Sequence, residues 1–182
     1  MIGSPAVVEV SVRRQVREPA AVPLLCLLSA VGVAVATWQL LVREPERAGW
    51  AALVAGGGLV LGGVLLQPND RRARVLLSFA DRIFDGCILA ALAWVTRSSH
   101  PSVAAASLVA LAAGFVASYI RAKGGSLGYG IEEGVVTPVL RYGLVSLALL
   151  LDWTSWAIWV VAVLMLLAAG VRASQVAKEE RL

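Results

Sequence analysis

Residues 20–42 read AAVPLLCLLSAVGVAVATWQLLV and contain no Asp, Glu, Lys, Arg or His. About twenty apolar residues are enough for an α-helix to cross the hydrocarbon core of a bilayer, so this run predicts a transmembrane helix. Further apolar runs follow near residues 49–67, 75–95, 102–121, 135–151 and 154–173. The sequence therefore predicts an all-α, polytopic membrane protein with six transmembrane helices joined by short loops.

The composition of the whole chain also indicates a lipid environment. Of its 182 residues, 59% are hydrophobic and 15% are charged, whereas soluble domains are about 45–50% apolar. Tryptophan rings favour the headgroup region, and several flank apolar runs: Trp38, Trp50, Trp94, Trp153 and Trp156. Basic residues lie between the runs and form no single patch, which argues against nucleic acid as a partner.

Lysine and arginine are distributed unevenly between the two sets of connections, and cytoplasmic loops normally carry the excess. The poorer set holds Arg43, Arg47 and Arg97. The richer set holds Arg13, Arg14, Arg17, Arg71, Arg72, Arg74, Arg121, Lys123, Arg172, Lys178 and Arg181. We therefore expect a cell-membrane protein with both termini in the cytoplasm. Residues 1–19 would form a juxtamembrane segment, 20–173 the six-helix domain and 174–182 a cytoplasmic tail.

The segment before the first span has an amphipathic pattern. Residues 7–18, VVEVSVRRQVRE, carry valines at four-residue spacing beside arginines that can reach anionic headgroups. The same residues also alternate as in a β-strand. An unpaired strand at a membrane leaves its backbone groups unsatisfied, so we predict a short interfacial helix.

Glycines are concentrated in the second span, where Gly58 and Gly62 form one GxxxG pair. Such a pair lets two helices approach closely. It is compatible with dimerisation and equally with packing inside one chain.

Ionisable residues interrupt the third span in the run FADRIFDG, residues 79–86. Charged groups inside a membrane usually face a protein interior or a wet cavity and mark function. Asp81 and Asp85 are four residues apart, so their carboxylates share one helical face. They are candidates for a catalytic base and for ligands of a divalent cation. The alternative is a structural pair neutralised by arginine.

Arg141 in the fifth span lies about as deep as Asp81, since each is roughly six residues, or about 9 Å, from the cytoplasmic end. We therefore predict that Arg141 faces the two carboxylates across a polar cavity open to the cytoplasm. Nearby basic groups suit a phosphate-bearing substrate: Arg71, Arg72 and Arg74 before the third span, and Arg121 and Lys123 after the fourth. Attraction to anionic lipid headgroups explains those charges equally well.

Two segments carry a resemblance to a known family. Residues 81–86, DRIFDG, and residues 118–123, SYIRAK, resemble motifs of the CDP-alcohol phosphotransferases, most closely the phosphatidylinositol-phosphate synthase branch. These are six-helix membrane enzymes of phospholipid biosynthesis, usually homodimers, in which four aspartates hold two divalent metals. The resemblance covers about the last two thirds of the chain.

The resemblance implies roles for particular residues. Asp81 and Asp85 would be catalytic and would bind Mg²⁺ or Mn²⁺, at most one ion, with Asp70 from the preceding loop able to help. The phosphates of a CDP-linked lipid such as CDP-diacylglycerol would be bound by Arg74, Tyr119, Arg121, Lys123 and Arg141.

The chain also departs from the family signature. Leu77 and Ala73 stand where the family has its third aspartate and a glycine, and residues 49–67 contain no carboxylate. Glu132 and Glu133 replace a Glu-Arg pair that grips the acceptor phosphate. We therefore keep two hypotheses: a phosphoalcohol transferase with weakened activity, and an inactive relative, a pseudoenzyme, that acts as partner or regulator of an active synthase. A small transporter is less favoured, because the sequence has no symmetric pair of broken helices.

Overall fold

The computed structural model describes residues 21–67, 69–130 and 138–179. Within them the secondary structure is entirely α-helical, as predicted. The helices are α1 (Ala21–Leu41), α2 (Pro45–Leu65), α3 (Arg71–Thr96), α4 (Pro101–Ser126), α5 (Pro138–Leu150) and α6 (Thr154–Glu179). The predicted interfacial helix at residues 7–18, as well as Glu132 and Glu133, lies outside the described residues.

Three helix starts have a local cause in the sequence. Proline lacks the N–H group that a first-turn residue would leave unpaired, and Pro45 and Pro101 begin α2 and α4. The side chain of Asp70 caps α3 by accepting a hydrogen bond of 2.9 Å from the backbone N–H of Ala73. Pro45 and Asp70 precede the apolar runs of the sequence. For this reason α2 and α3 begin about four residues before the predicted spans. Helix α6 extends past the end of its predicted span near residue 173 and ends at Glu179.

The helices differ in how well they suit the bilayer. Helices α1, α2, α4 and α6 are each long and apolar enough to cross a membrane, and α5 is a shorter apolar helix of 13 residues. Helix α3 is long, but it carries the charged residues in its middle. Large apolar side chains are exposed on the outside of the bundle, among them Leu27, Val54, Leu167 and Val64. A bundle with this surface is a polytopic membrane protein, because lipid replaces water around its apolar exterior.

The bundle is built as a closed circuit of neighbouring helices. Helix α1 packs on α2 and α3, α3 packs on α4, α4 packs on α6, and α5 lies against α2 and α6. Two glycines of α2 permit close approach within the chain. A Cβ atom at Gly58 would lie 2.5 Å from Ser29 Oγ, and one at Gly62 would lie 3.1 Å from Leu77 Cδ1. The GxxxG pair therefore serves intrachain packing in this structure.

Candidate charged site between α3 and α5

Helix α3 places two carboxylates on its inward face. Asp81 and Asp85 are one helical turn apart, and Asp85 has only 4% of its surface exposed. Phe84 between them is also buried. Burial of a carboxylate in an apolar bundle is unfavourable unless an opposite charge or hydrogen bonds compensate it. The partners of these two groups therefore decide what the site can do.

Arg141 on α5 is the main partner. Its Nη2 atom binds Oδ1 of Asp81, and its Nε atom lies 2.8 Å from Oδ1 of Asp85. Arg141 is itself buried, with 6% of its surface exposed. The predicted approach of Arg141 to both carboxylates is confirmed. The groups are in direct contact, however, so the prediction of a polar cavity between them is wrong.

Arg82 supplies a second positive charge from α3 itself. It pairs with Asp81, and its Nη1 atom lies 3.2 Å from Oδ2 of Asp85. The same Nη1 atom donates a hydrogen bond of 3.1 Å to the backbone carbonyl of Gly114 on α4. Arg82 therefore ties α4 to the two carboxylates. The four charged groups, two negative and two positive, sum to zero.

Tyr142 completes the cluster and was not identified from the sequence. Its hydroxyl donates a hydrogen bond to Asp81, and its ring lies 4.4 Å from that of Phe84, centroid to centroid. On the other side the ring fills the space beside Gly56 of α2, where an added Cβ would lie 2.8 Å from Tyr142 Cβ. The side that α2 presents to the cluster is therefore closed by an aromatic ring and brings no carboxylate.

The other predicted substrate-binding residues lie nearer the ends of the helices. Arg74, Tyr119, Arg121 and Lys123 all have exposed side chains. Gly114, which marks the level of the charged cluster on α4, precedes Arg121 by seven residues, or about 10 Å along the helix. The exposed basic groups therefore form a separate layer between the cluster and the predicted cytoplasmic end. Their binding of phosphate stays a prediction.

A divalent cation in this cluster would need carboxylate oxygens that the contacts described above already use. Mg²⁺ and Mn²⁺ are bound by oxygen ligands, commonly several carboxylates. Here Asp81 accepts from Arg82, Arg141 and Tyr142, while Asp85 lies between two guanidinium groups. Asp70 lies eleven residues before Asp81, about 16 Å along α3, and is used as a helix cap. Across the part of the chain that the structure describes, no three His, Cys, Asp or Glu residues come together. The arrangement as it stands does not fit a metal ion.

Comparison with known proteins identifies the architecture. No family model matches the sequence, and a search of curated proteins gives no match. Among solved structures, the crystal structure of Mycobacterium tuberculosis phosphatidylinositol phosphate synthase with CDP-DAG bound matches with a TM-score of 0.72 and 20% sequence identity. The match covers 86% of this chain and 84% of the other. The chain has the fold of a phosphatidylinositol phosphate synthase. The resemblance inferred from residues 81–86 and 118–123 is thus confirmed at the level of the fold.

Packing between helices occupies two of the places where the sequence departs from the signature that it resembles. Leu77, which the sequence resemblance sets at the place of the third family aspartate, lies next to Gly62 of α2. Gly56, one of several glycines in a span without carboxylates, makes room for Tyr142. Apolar and aromatic packing thus joins α2 to α3 and α5, and arginine balances the carboxylates of Asp81 and Asp85.

Proposed function

We propose that this chain is a diverged CDP-alcohol phosphatidyltransferase-like membrane protein that acts as a partner or regulator in phospholipid biosynthesis and has lost metal-dependent transfer. The observation that carries the proposal is the direct pairing of Asp81 and Asp85 with Arg141. A guanidinium group held between these carboxylates supplies the positive charge that a metal would otherwise bring. It offers no open coordination position for a phosphate.

The state of Asp81 supports the same proposal. An ionised carboxylate has about four lone-pair sites, and Arg82, Arg141 and Tyr142 engage Asp81 with three donors. A general base must reach the proton that it abstracts, directly or through one water. Asp81 could act as a base only if Arg141 and Tyr142 moved away. Such movement would leave buried charges unpaired, which is unfavourable.

Transfer of a phosphoalcohol group from a CDP-linked lipid to a hydroxyl acceptor is the second candidate. It is favoured by the retained DRIFDG and SYIRAK segments and by the layer of exposed basic residues at one end of the bundle. In that case CDP-diacylglycerol would be the donor, Arg74, Tyr119, Arg121 and Lys123 would bind its phosphates, and one Mg²⁺ or Mn²⁺ would have to displace Arg141 from the carboxylates.

Release of CMP from CDP-diacylglycerol by the purified protein separates the two candidates. We expect no release above background with Mg²⁺ or Mn²⁺ at millimolar concentration, and no change on Asp81→Asn substitution. The mycobacterial synthase serves as the positive control for lipid and metal. Metal-dependent release that is lost in a folded Asp81→Asn variant would overturn the proposal. Mn²⁺ titration followed by electron paramagnetic resonance gives an independent check, for which we expect no stoichiometric binding.

The partner role has its own test in the native membrane. We expect a tagged chain to co-purify with an active phospholipid synthase, and we expect quantitative cross-linking to distinguish that complex from a homodimer. Recovery of the chain without a synthase would remove the support for this role. The uneven distribution of basic residues supports a cytoplasmic location of both termini. A tag after Leu182 should accordingly be protected from protease added outside intact cells.

A further inference from the structure

A second polar site lies at the opposite end of the bundle. A cleft of about 240 Å³ opens between the α1–α2 turn, the end of α3, the start of α4 and the α5–α6 turn. Leu92 in its wall lies eleven residues beyond Asp81, about 16 Å further along α3. The cleft is therefore separate from the charged cluster, and it shares no lining residue with that cluster. The uneven distribution of basic residues predicts that this end lies outside the cell.

The cleft has an apolar floor and a charged rim. Its floor consists of buried side chains: Leu40, Leu92, Val103 and Leu149. Its rim includes Arg43 from the α1–α2 turn, His100 before α4, and Asp152 from the α5–α6 turn, with the residues Thr154 and Ser155 beside them. Arginine, histidine and aspartate side chains thus converge from three different connections on one volume.

The three charged or titratable rim side chains are not used by the fold. Within residues 21–67, 69–130 and 138–179, no hydrogen bond or ion pair engages the side chains of Arg43, His100 or Asp152. Arg43 and Asp152 also adopt left-handed backbone conformations, with φ of 65° and 54°. Such conformations are uncommon for residues other than glycine. Here they close the ends of α1 and α5, because the next backbone N–H bonds back into the helix, Glu44 to Gln39 at 2.8 Å and Trp153 to Ala148 at 2.9 Å. The two caps fix the backbone positions from which Arg43 and Asp152 reach the rim.

We propose that this cleft binds a zwitterionic phosphate ester of the phosphoethanolamine type. The guanidinium of Arg43 would hold the phosphate, since arginine matches phosphate oxygens in geometry and charge, and His100 would donate a further hydrogen bond. The carboxylate of Asp152 would bind the ammonium group. A ligand with negative charge only would be repelled by Asp152, and one with positive charge only would be repelled by Arg43.

The size and surroundings of the cleft fit this ligand. Pockets for drug-sized molecules measure about 300–1,000 Å³, so a cleft of about 240 Å³ suits a small headgroup. Trp153 follows Asp152 directly, and Trp94 lies beside Val95 of the wall. Tryptophan favours the headgroup level of a membrane. The same headgroup chemistry is available from phosphatidylethanolamine in the outer leaflet and from soluble phosphoethanolamine.

Lipid retention by the full chain, measured by native mass spectrometry from mixed micelles, tests the proposal. We expect phosphatidylethanolamine to be retained roughly tenfold more than phosphatidylglycerol, the difference that one charge-assisted hydrogen bond provides. Displacement of the lipid by millimolar phosphoethanolamine would identify the headgroup as the sufficient ligand. Failure of displacement together with the same lipid preference would identify the intact lipid. Equal retention of the two lipids would overturn the proposal.

Substitutions at the rim locate the binding. Asparagine tolerates positive φ, so Arg43→Asn and Asp152→Asn remove charge without new backbone strain. We expect Asp152→Asn to abolish the preference for phosphatidylethanolamine, and Arg43→Asn to reduce retention of both lipids about tenfold. Arg47→Gln is the matched control, since Arg47 is exposed at the same end and does not line the cleft. An effect of Arg47→Gln equal to that of Arg43→Asn would reduce the result to non-specific charge and overturn the assignment.

Discussion

Replacing Arg141 by methionine is expected to lower the free energy of unfolding by about 3–5 kcal/mol, because the variant leaves a buried negative charge without its partner. In the native cluster Asp81 and Asp85 are balanced by Arg82 and Arg141. Arg141→Met changes the sum from zero to one net negative charge. Asp85, with 4% of its surface exposed, cannot be screened by solvent. Methionine has a similar length and an apolar stem. The loss of unfolding free energy therefore reflects the missing charge more than a change in packing.

Reversible unfolding in mixed detergent micelles, followed by tryptophan fluorescence, measures this loss. Arg47→Met is the control, because Arg47 is exposed on α2, and exposed charges usually contribute at most about 1 kcal/mol. A loss for Arg141→Met no larger than that for Arg47→Met would show that the cluster is solvated or rearranged in the membrane. It would also remove the observation on which the proposed loss of transfer depends.

The central pairing could be predicted from the sequence because it follows from helix geometry. Asp81 and Asp85 are one turn apart, and the position of Arg141 in the fifth apolar run gives it the same depth. Charged groups in lipid need partners, so the approach of Arg141 followed. The sequence could not predict that the contact is direct, because neither the spacing nor the depth of these residues tells whether water separates them.

Tyr142 could not be predicted, although it contacts the same carboxylate as Arg141. A single tyrosine in an apolar run has no periodic signal, and its place beside Asp81 depends on the absence of a side chain at Gly56. The only signal in the sequence is the glycine content of α2, which predicts close helix packing without naming the partner residue. The pairing of one small residue with one large residue on another helix requires the packing of α2 against α5.

The cleft at the other end was missed for a different reason. Arg43, His100 and Asp152 lie in three connections more than fifty residues apart along the chain, and each connection by itself is an ordinary polar turn. Only the order of the helices around the bundle brings the connections together. The helix ends differ from the predicted span ends for a related reason. A run of apolar residues marks the part of a helix that lies in lipid and does not include its polar extensions.

Combining Arg141→Met with Asp85→Leu should recover most of the stability that either change removes alone. Asp85→Leu leaves Arg82 and Arg141 with Asp81 only, a net positive charge. The double variant leaves Asp81 with Arg82, a neutral pair that is already formed in the native cluster. Replacement of a buried ion pair by apolar residues of similar volume is often neutral or stabilising, whereas removal of one partner is strongly unfavourable.

A double-mutant cycle in the same micelle system measures this recovery as a coupling free energy. We expect a coupling of at least about 2 kcal/mol, at the upper end of the range for residues in contact, with each single variant destabilised. Arg47→Met combined with Asp85→Leu should give a coupling near zero. Additive losses in the first cycle would mean that Arg141 and Asp85 act independently, so that the carboxylates are open to another cation. Recovery would instead establish that arginine is the cation for which α3 and α5 are built, and a protein held together in this way can keep the synthase fold in a membrane without keeping the metal chemistry.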